Sequence, residues 1–281
     1  MRCAWLAWLI AGCGFSSPSG PPGDPVGDPG GGSGSGSGSG APTSAMPCDV
    51  SDAQIRLCLS FGGDHMAQDL ATPPHAVVDV AGIAPIIGIV SSAAGSFGIN
   101  SHLRFGETAD FDVRDLTLEL WISPLLRPGK NKRFWLLDNN TQYYATYEED
   151  GSVRCGIGGA SVVGETRITP SPGSWHHVAC TYAASERVLR THVDGSVAGC
   201  DAVNSIPQGG NDGVAIGANF GAGKYTENFV GSLDAVHLYA RALSPGELCD
   251  AAGSSDCSDR CPDQGPSLQL GLGRSDPRLP H

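Results

Sequence analysis

Basic residues are scarce in this chain. Seventeen lysines and arginines stand against 29 aspartates and glutamates, a formal net charge of −12 over 281 residues. A surface of that sign repels a phosphate backbone, which excludes non-specific nucleic-acid binding as a role. Long apolar runs are missing too: the N-terminal C-A-W-L-A-W-L-I-A-G has ten residues, about half of what a membrane-spanning helix needs. Helical periodicity is confined to a short segment near residue 244. Catalytic signatures are absent, with no G-x-S-x-G elbow and no H-E-x-x-H helix. Gly156-Ile157-Gly158-Gly159 has no helix after it and reads as a strand end rather than a phosphate loop. Zinc needs close Cys/His pairs, and Cys257-x-x-x-Cys261 is the one near approach.

What the chain does have is period-two patterning from Leu116 to Leu243. In L-T-L-E-L-W-I, Leu116, Leu118, Leu120 and Ile122 alternate with Thr117, Glu119 and Trp121, as a strand with one face on a core requires. Strands are expected near 55–61, 97–105, 116–123, 132–138, 143–148, 152–158, 175–182, 187–194, 196–202, 213–218 and 229–240. Asp194-Gly195 between two extended runs predicts a two-residue hairpin turn, because both central positions need positive φ. Ser244, Pro245 and Glu247 form a capping-box signature for a short helix over 244–249. Many short strands broken by Gly, Pro, Asn and Ser predict an antiparallel sandwich or barrel.

The segments Leu116–Pro124, W-H-H-V-A-C-T-Y (175–182), V-L-R-T-H-V-D-G (188–195) and G-S-L-D-A-V-H-L-Y-A-R-A-L-S (231–244) resemble the laminin-G-like branch of the concanavalin A-like lectin/glucanase superfamily over residues 53–248. The resemblance implies an all-β fold, an antiparallel two-sheet β-sandwich (concanavalin A-like jelly roll), displaying a surface for a glycan or an extracellular protein ligand. It also implies Ca²⁺ as a cofactor, with Asp234 matching the family's acid after Gly-x-Leu and Asp64 a weaker second ligand. Ala235 departs from relatives that carry a second acid there, and Asp234 is equally readable as an acceptor of backbone hydrogen bonds. Laminarinase-like relatives carry E-x-D-x-x-E on one strand, the acid pair that sugar-bond hydrolysis needs. That pattern is missing: Glu119 stands alone, and Glu148-Glu149-Asp150 precedes Gly151 as a solvated turn.

Sugar binding needs aromatic platforms beside polar groups. Candidates are Tyr143, Tyr144, Tyr147 and Tyr225, with Asn139, Asn140, Asn219 and Asn228; Trp121, Trp135 and Trp175 lie within strand patterns and are assigned to the core. His176 and His177 are adjacent, so on a strand they face opposite ways and read as structural.

The ends divide the chain. Residues 1–12 resemble a lipoprotein-type signal peptide, with Ile10-Ala11-Gly12-Cys13 as a bacterial lipobox and Cys13 the lipidated thiol. Residues 13–47 are a Gly/Ser/Pro spacer unable to fold, 50–248 the sandwich and 249–281 a Cys-containing disordered tail. Eight cysteines remain after Cys3 and Cys13, an even number that predicts disulfides in an exported chain. Spacing leaves connectivity open; Cys155 with Cys180 and Cys58 with Cys249 are the pairs we expect. The sequence thus predicts a non-enzymatic recognition module, tethered to the cell envelope through its lipid anchor, with a structural or adhesion envelope lipoprotein lacking a specific small ligand as the alternative and a glycoside hydrolase relative as the third reading.

Overall fold

The computed structural model describes residues 49–262 apart from 60, 62–67, 91–92, 141, 208 and 210–211. Cys13, Cys48, Asp64 and the spacer lie outside the described residues. Two sheets dominate, and every pairing within them is antiparallel. The first runs β13 (Ser196–Ala202), β12 (Val188–Val193), β11 (His176–Ala183), β6 (Leu116–Pro124), β17 (Gly231–Tyr239), β4 (Ala94–Phe97) and β3 (Ala84–Ile86), and β1 (Ile55–Leu59) also pairs with β17. The second runs β10 (Ala160–Val163), β9 (Val153–Ile157), β8 (Tyr143–Glu148), β7 (Arg133–Asn139), β14 (Ala215–Ile216), β5 (His102–Phe105) and β2 (Val77–Ala81). A small hairpin, β15 (Asn219–Gly221) with β16 (Lys224–Thr226), stands apart from both.

Alternation decides what lies between the sheets. Leu116, Leu118, Leu120 and Ile122 of β6 point into one apolar core with Tyr143, Ala145 and Tyr147 of β8 and Val153, Cys155 and Ile157 of β9. Cys155 and Cys180 are bonded with a Cα–Cα distance of 5.6 Å, so the expected pair staples one sheet to the other. The Asp194-Gly195 turn has φ of 50° and 80°, the two positive values that the hairpin needs. Gly195 is required twice over, because a Cβ there would also meet Cys257 Sγ at 2.7 Å.

All nine residues of β6 are buried, which an alternating strand achieves only when its outer face is covered as well. The cover is the helix α1 (Pro245–Ala251), whose Leu248 packs with Ile55, Cys58, Ala179, Tyr239 and Leu243. Ser244 caps it in a complete capping box with Glu247, as the sequence predicts.

Four expectations are corrected. The strand expected over 97–105 is broken by a turn, in which Ser101 N–H donates to the Gly98 carbonyl at 3.0 Å, and β4 and β5 belong to different sheets. Strands β2, β3, β10 and the β15–β16 hairpin were not foreseen. Cys249 bonds Cys257, not Cys58, and Cys200 bonds Cys261. These bonds and α1 give residues 249–262 a defined place, so the domain does not end at 248; loop-closing crosslinks order a segment whose composition alone would not. Cys58 is itself disulfide-bonded, as are Cys155, Cys180, Cys200, Cys249, Cys257 and Cys261, every cysteine among the described residues, which is the chemistry of an exported protein.

Candidate functional site

The register of the second sheet sets up a row of side chains across its outer face. Gly156 on β9 pairs with Tyr144 on β8, Tyr144 with Asp138 on β7, Asp138 with Ala215 on β14, Ala215 with Arg104 on β5, and Arg104 with Asp79 on β2. Directly paired residues share a face, so the row spans five strand intervals, about 24 Å. At one end Tyr144 lies flat on the sheet, because a Cβ on Gly156 would come within 3 Å of the ring; only glycine leaves room for it. Trp135 stands beside it with centroids 5.1 Å apart and donates its indole N–H to Glu227 at 3.0 Å.

At the other end the β15–β16 hairpin delivers two more rings. Tyr225 stacks on His102 at 3.5 Å and packs against Phe220 at 4.9 Å, while the Arg104 guanidinium sits 4.2 Å over Phe220. The Tyr225 hydroxyl donates to Asp79 at 2.8 Å, the leading reason that this carboxyl is held below its usual range. Asp138 anchors the hairpin by accepting the Phe220 N–H at 3.0 Å. Burial pushes its carboxyl up to about 6 against the hydrogen bonds from Phe220 and Asn140, with Asp212 adding repulsion. The result is a ridge in which half-exposed Tyr144, Trp135 and Glu227 lead to half-exposed Phe220 and Tyr225, the latter stacked on the buried His102, flanked by Asp79, Asn140 and Asn219.

Of the residues expected to bind ligand, Tyr144 and Tyr225 are on this ridge. Tyr143 and Tyr147 are corrected: they point into the core, 1% and 0% exposed, with hydroxyls donating to the carbonyls of Phe111 and Ile168. Asn139 is buried against Gln142, and Asn228 donates to the Ser101 carbonyl at 3.0 Å, so both are structural. Asn140 donates to Asp212 at 2.6 Å and Asn219 to Thr226 at 3.3 Å. Trp121 and Trp135, assigned to the core by sequence, sit on the two outer faces instead, since each occupies the alternate position to the inward residues of its strand.

The outer face of the first sheet carries a different constellation. Glu119 on β6 meets His237 Nδ1 from β17 at 2.9 Å, His177 Nε2 from β11 at 3.3 Å and the Tyr239 hydroxyl at 3.4 Å. Burial alone would raise its carboxyl, but the two imidazoles outweigh it and hold Glu119 well below the usual carboxylate range. His192 from β12 extends the row; burial, then His177 and Arg190, depress it to about 3, and Thr181 Oγ1 lies 3.0 Å from its Nε2. His176 faces the other way, 3.0 Å from Asp194, as adjacency on a strand requires.

Asp234 is fully buried at a bulge of β17, next to Ala235 at φ 46°. Its Oδ2 accepts the N–H groups of Ile89 and Val90, both at 3.0 Å, and Oδ1 accepts that of Ala235 at 2.8 Å. Amide hydrogens converging on a carboxylate supply the positive charge that Ca²⁺ would, and Ca²⁺ needs six to eight oxygens, so this position does not fit the ion. Among the described residues no group of three or more His, Cys, Asp or Glu is arranged to hold a metal, and none of their helices is long and apolar enough to cross a membrane.

Known structures share the fold. Domain 4 of the extracellular arabinanase of Geobacillus stearothermophilus, solved with arabinotriose, superposes with a TM-score of 0.55 at 18% identity, over 71% of this chain and 98% of that one. The binding domain of Paraclostridial Mosquitocidal Protein 1 gives 0.56 at 17% identity over 71% of this chain and 52% of that one. The botulinum neurotoxin serotype G binding domain gives 0.53 at 10% identity over 70% and 50%. No curated protein sequence matches the chain. The laminin-G-type model of the concanavalin A-like lectin/glucanases superfamily matches residues 97–249, more than half of the chain, and the chain belongs to that family.

Proposed function

We propose that this chain is a non-enzymatic, exported recognition module that binds glycan along the outer face of the second sheet. The observation that carries the reading is the ridge itself. Tyr144, flat over Gly156, and Tyr225, held by His102, Arg104 and Asp79, present ring faces beside carboxylates, amides and a guanidinium. Sugars offer apolar C–H faces and hydroxyls to that combination. The arabinotriose complex of the arabinanase domain supports the ligand class, and the toxin binding domains leave a protein-borne ligand as the alternative carrier. Hydrolysis needs an acid and a second carboxylate flanking one bond; Asp138, the raised acid on this face, spends its carboxylate on the Phe220 and Asn140 amides and is 2% exposed. We also place the module on the envelope, tethered through Cys13, which Cys13→Ser should release from the membrane fraction.

A glycan array probed with the full chain, with and without EDTA, tests the function. Tyr144→Ala and Tyr225→Ala should each abolish or weaken the signal by at least tenfold while circular dichroism is unchanged. Binding that survives EDTA removes calcium from the account. No glycan bound, or binding indifferent to both variants, discards the lectin reading and leaves protein adhesion.

A further inference from the structure

One rim of the sandwich breaks the acidic character of the chain. No aspartate or glutamate lies between Asp79 and Glu107 or between Glu119 and Asp138, while four of the 17 basic residues, Arg127, Lys130, Lys132 and Arg133, fall within seven positions. The strand register brings parts of both segments to one end of the first sheet. Phe97 on β4 and Pro124 on β6 are both direct partners of Gly231 on β17, so the turn after β4 and the loop after β6 leave the sheet about 10 Å apart. Ile99 in that turn is 74% exposed, and Leu125 and Leu126 in that loop are 54% and 43% exposed. Three aliphatic side chains therefore stand in water at one rim, beside the basic residues of the loop.

The loop between β6 and β7 holds a fixed course. Leu125 N–H continues the ladder to the Val230 carbonyl at 3.0 Å, and Lys132 N–H closes a turn on the Gly129 carbonyl at 2.9 Å. Asn131 takes a φ of 57° while its N–H donates to Glu149 at 2.7 Å. Little of the charge is spent inside the molecule: Lys130 is exposed, and Lys132 and Arg133 reach Glu227 and Glu148 only at 3.9 Å, contacts that contribute little in water. Arg127 leans on the neighbouring turn, its guanidinium 3.2 Å from where a Cβ on Gly151 would stand. Exposed aliphatic tips with a basic collar suit a bilayer surface, where the tips enter the headgroup layer and the cations meet anionic lipid. The rest of a chain of net charge −12 is repelled by the same lipid, which leaves this rim as the side that can approach it. We propose that the rim formed by Ile99, Leu125, Leu126 and the basic residues of 127–133 docks on an anionic phospholipid bilayer, independently of the glycan ridge and of any acyl chain at Cys13.

The full chain carrying Cys13→Ser, which cannot be acylated there, is the protein to test. Its partitioning is measured against vesicles of equal parts phosphatidylcholine and phosphatidylglycerol and against phosphatidylcholine alone, with amide hydrogen exchange read in the same samples. Binding to the mixed vesicles should be at least tenfold stronger and should weaken as salt is raised. Exchange should slow at amides within 99–101 and 125–133 and stay unchanged at 184–187, beyond the opposite end of β6. That local pattern separates contact at the rim from any contact made by the N-terminal segment. Leu125→Ser with Leu126→Ser should erase the rim protection, and Lys130→Gln with Lys132→Gln should cut the preference for anionic vesicles severalfold. All four positions are exposed, so both variants should keep the thermal unfolding of the parent. Equal partitioning to the two vesicles, protection that spares the rim, or folded variants that bind like the parent would overturn the proposal and leave the rim to a protein partner or to solvent.

Discussion

The two outer faces of the sandwich start from the same strand grammar and end in opposite states. On the first sheet, α1 and the residues leading into it lie over the outer face of β6, β11 and β17, and Thr117, Glu119, His177, His192 and His237 are each less than a tenth exposed. On the second sheet the β15–β16 hairpin lies over the middle of the row, where Asp138 and Ala215 are buried, but Tyr144, Trp135, Arg104 and Tyr225 remain half-exposed. Polar groups taken from water must find partners or cost heavily, so the covered face is committed to stability. The open face can leave its rings available for a ligand.

Acid should separate the faces most strongly. His192 on the covered face is depressed to about 3 from an ordinary value near 6.5; its stability contribution is complete above the unfolded value and is lost as pH falls towards about 3. Asp138 on the open face is raised to about 6; its contribution is complete below the ordinary carboxylate value and is lost as pH rises through about 6. By linkage the first is on the order of 5 kcal/mol and opposes the second, on the order of 3 kcal/mol. Urea unfolding of the wild type should therefore show net loss between about pH 6.5 and 4. His192→Gln should turn that loss into a gain, and Asp138→Asn should steepen it. A pH profile identical in all three proteins breaks the comparison.

Glu119→Ala comes next. Removing the carboxylate that His177 and His237 share breaks a buried charged network and should cost about 3 to 5 kcal/mol, with glycan affinity of the folded fraction unchanged. A cost below about 1 kcal/mol would mean that solvent already reaches this face. Leu248→Ala, in the helix that supplies the cover, should cost about 2 to 5 kcal/mol by leaving a cavity. Hydrogen exchange should then rise at the outer-face amides of β17 and not at those of β8.

How much of this was legible depends on how local the cause is. β8 and β13 have the bounds that the sequence predicts, 143–148 and 196–202, because alternation and turn residues are properties of neighbours in the chain. Strands β14 and β15 have two and three residues and owe their form to partners far away, so no periodicity marks them. The break inside 97–105 was signalled by Asn100-Ser101, a turn pair that outwardly continuous apolar residues masked. At the site, Y-Y-A-T-Y-E already separates Tyr143, Ala145 and Tyr147 from the more polar Tyr144, Thr146 and Glu148, and that parity would have kept the first and third tyrosines in the core. Glu119 looked solitary because its partner His237 is 118 residues on. Outward parity put Glu119, His177 and His237 on one face, but only the pairing of β6 with β11 and β17 made them neighbours.

The smallest expected stability effect is the sharpest test of the open face. In Gly156→Ala the new Cβ would overlap the Tyr144 ring, about 2.1 Å from two of its carbons. The obstacle is the far part of a side chain on an uncovered face, so the ring swings away and the fold loses about 1 kcal/mol or less. Replacing a strand glycine recovers a few tenths of that through backbone entropy. Thermal unfolding should thus barely move, whereas glycan affinity should fall towards that of Tyr144→Ala, because a tilted ring no longer presents a flat platform. The same substitution on the covered face would be read out as stability. Unchanged affinity in Gly156→Ala, with the Tyr144 ring shown by NMR to have moved, would mean that the ring is packing and not platform, and that the contact with ligand lies at the Tyr225 end of the ridge.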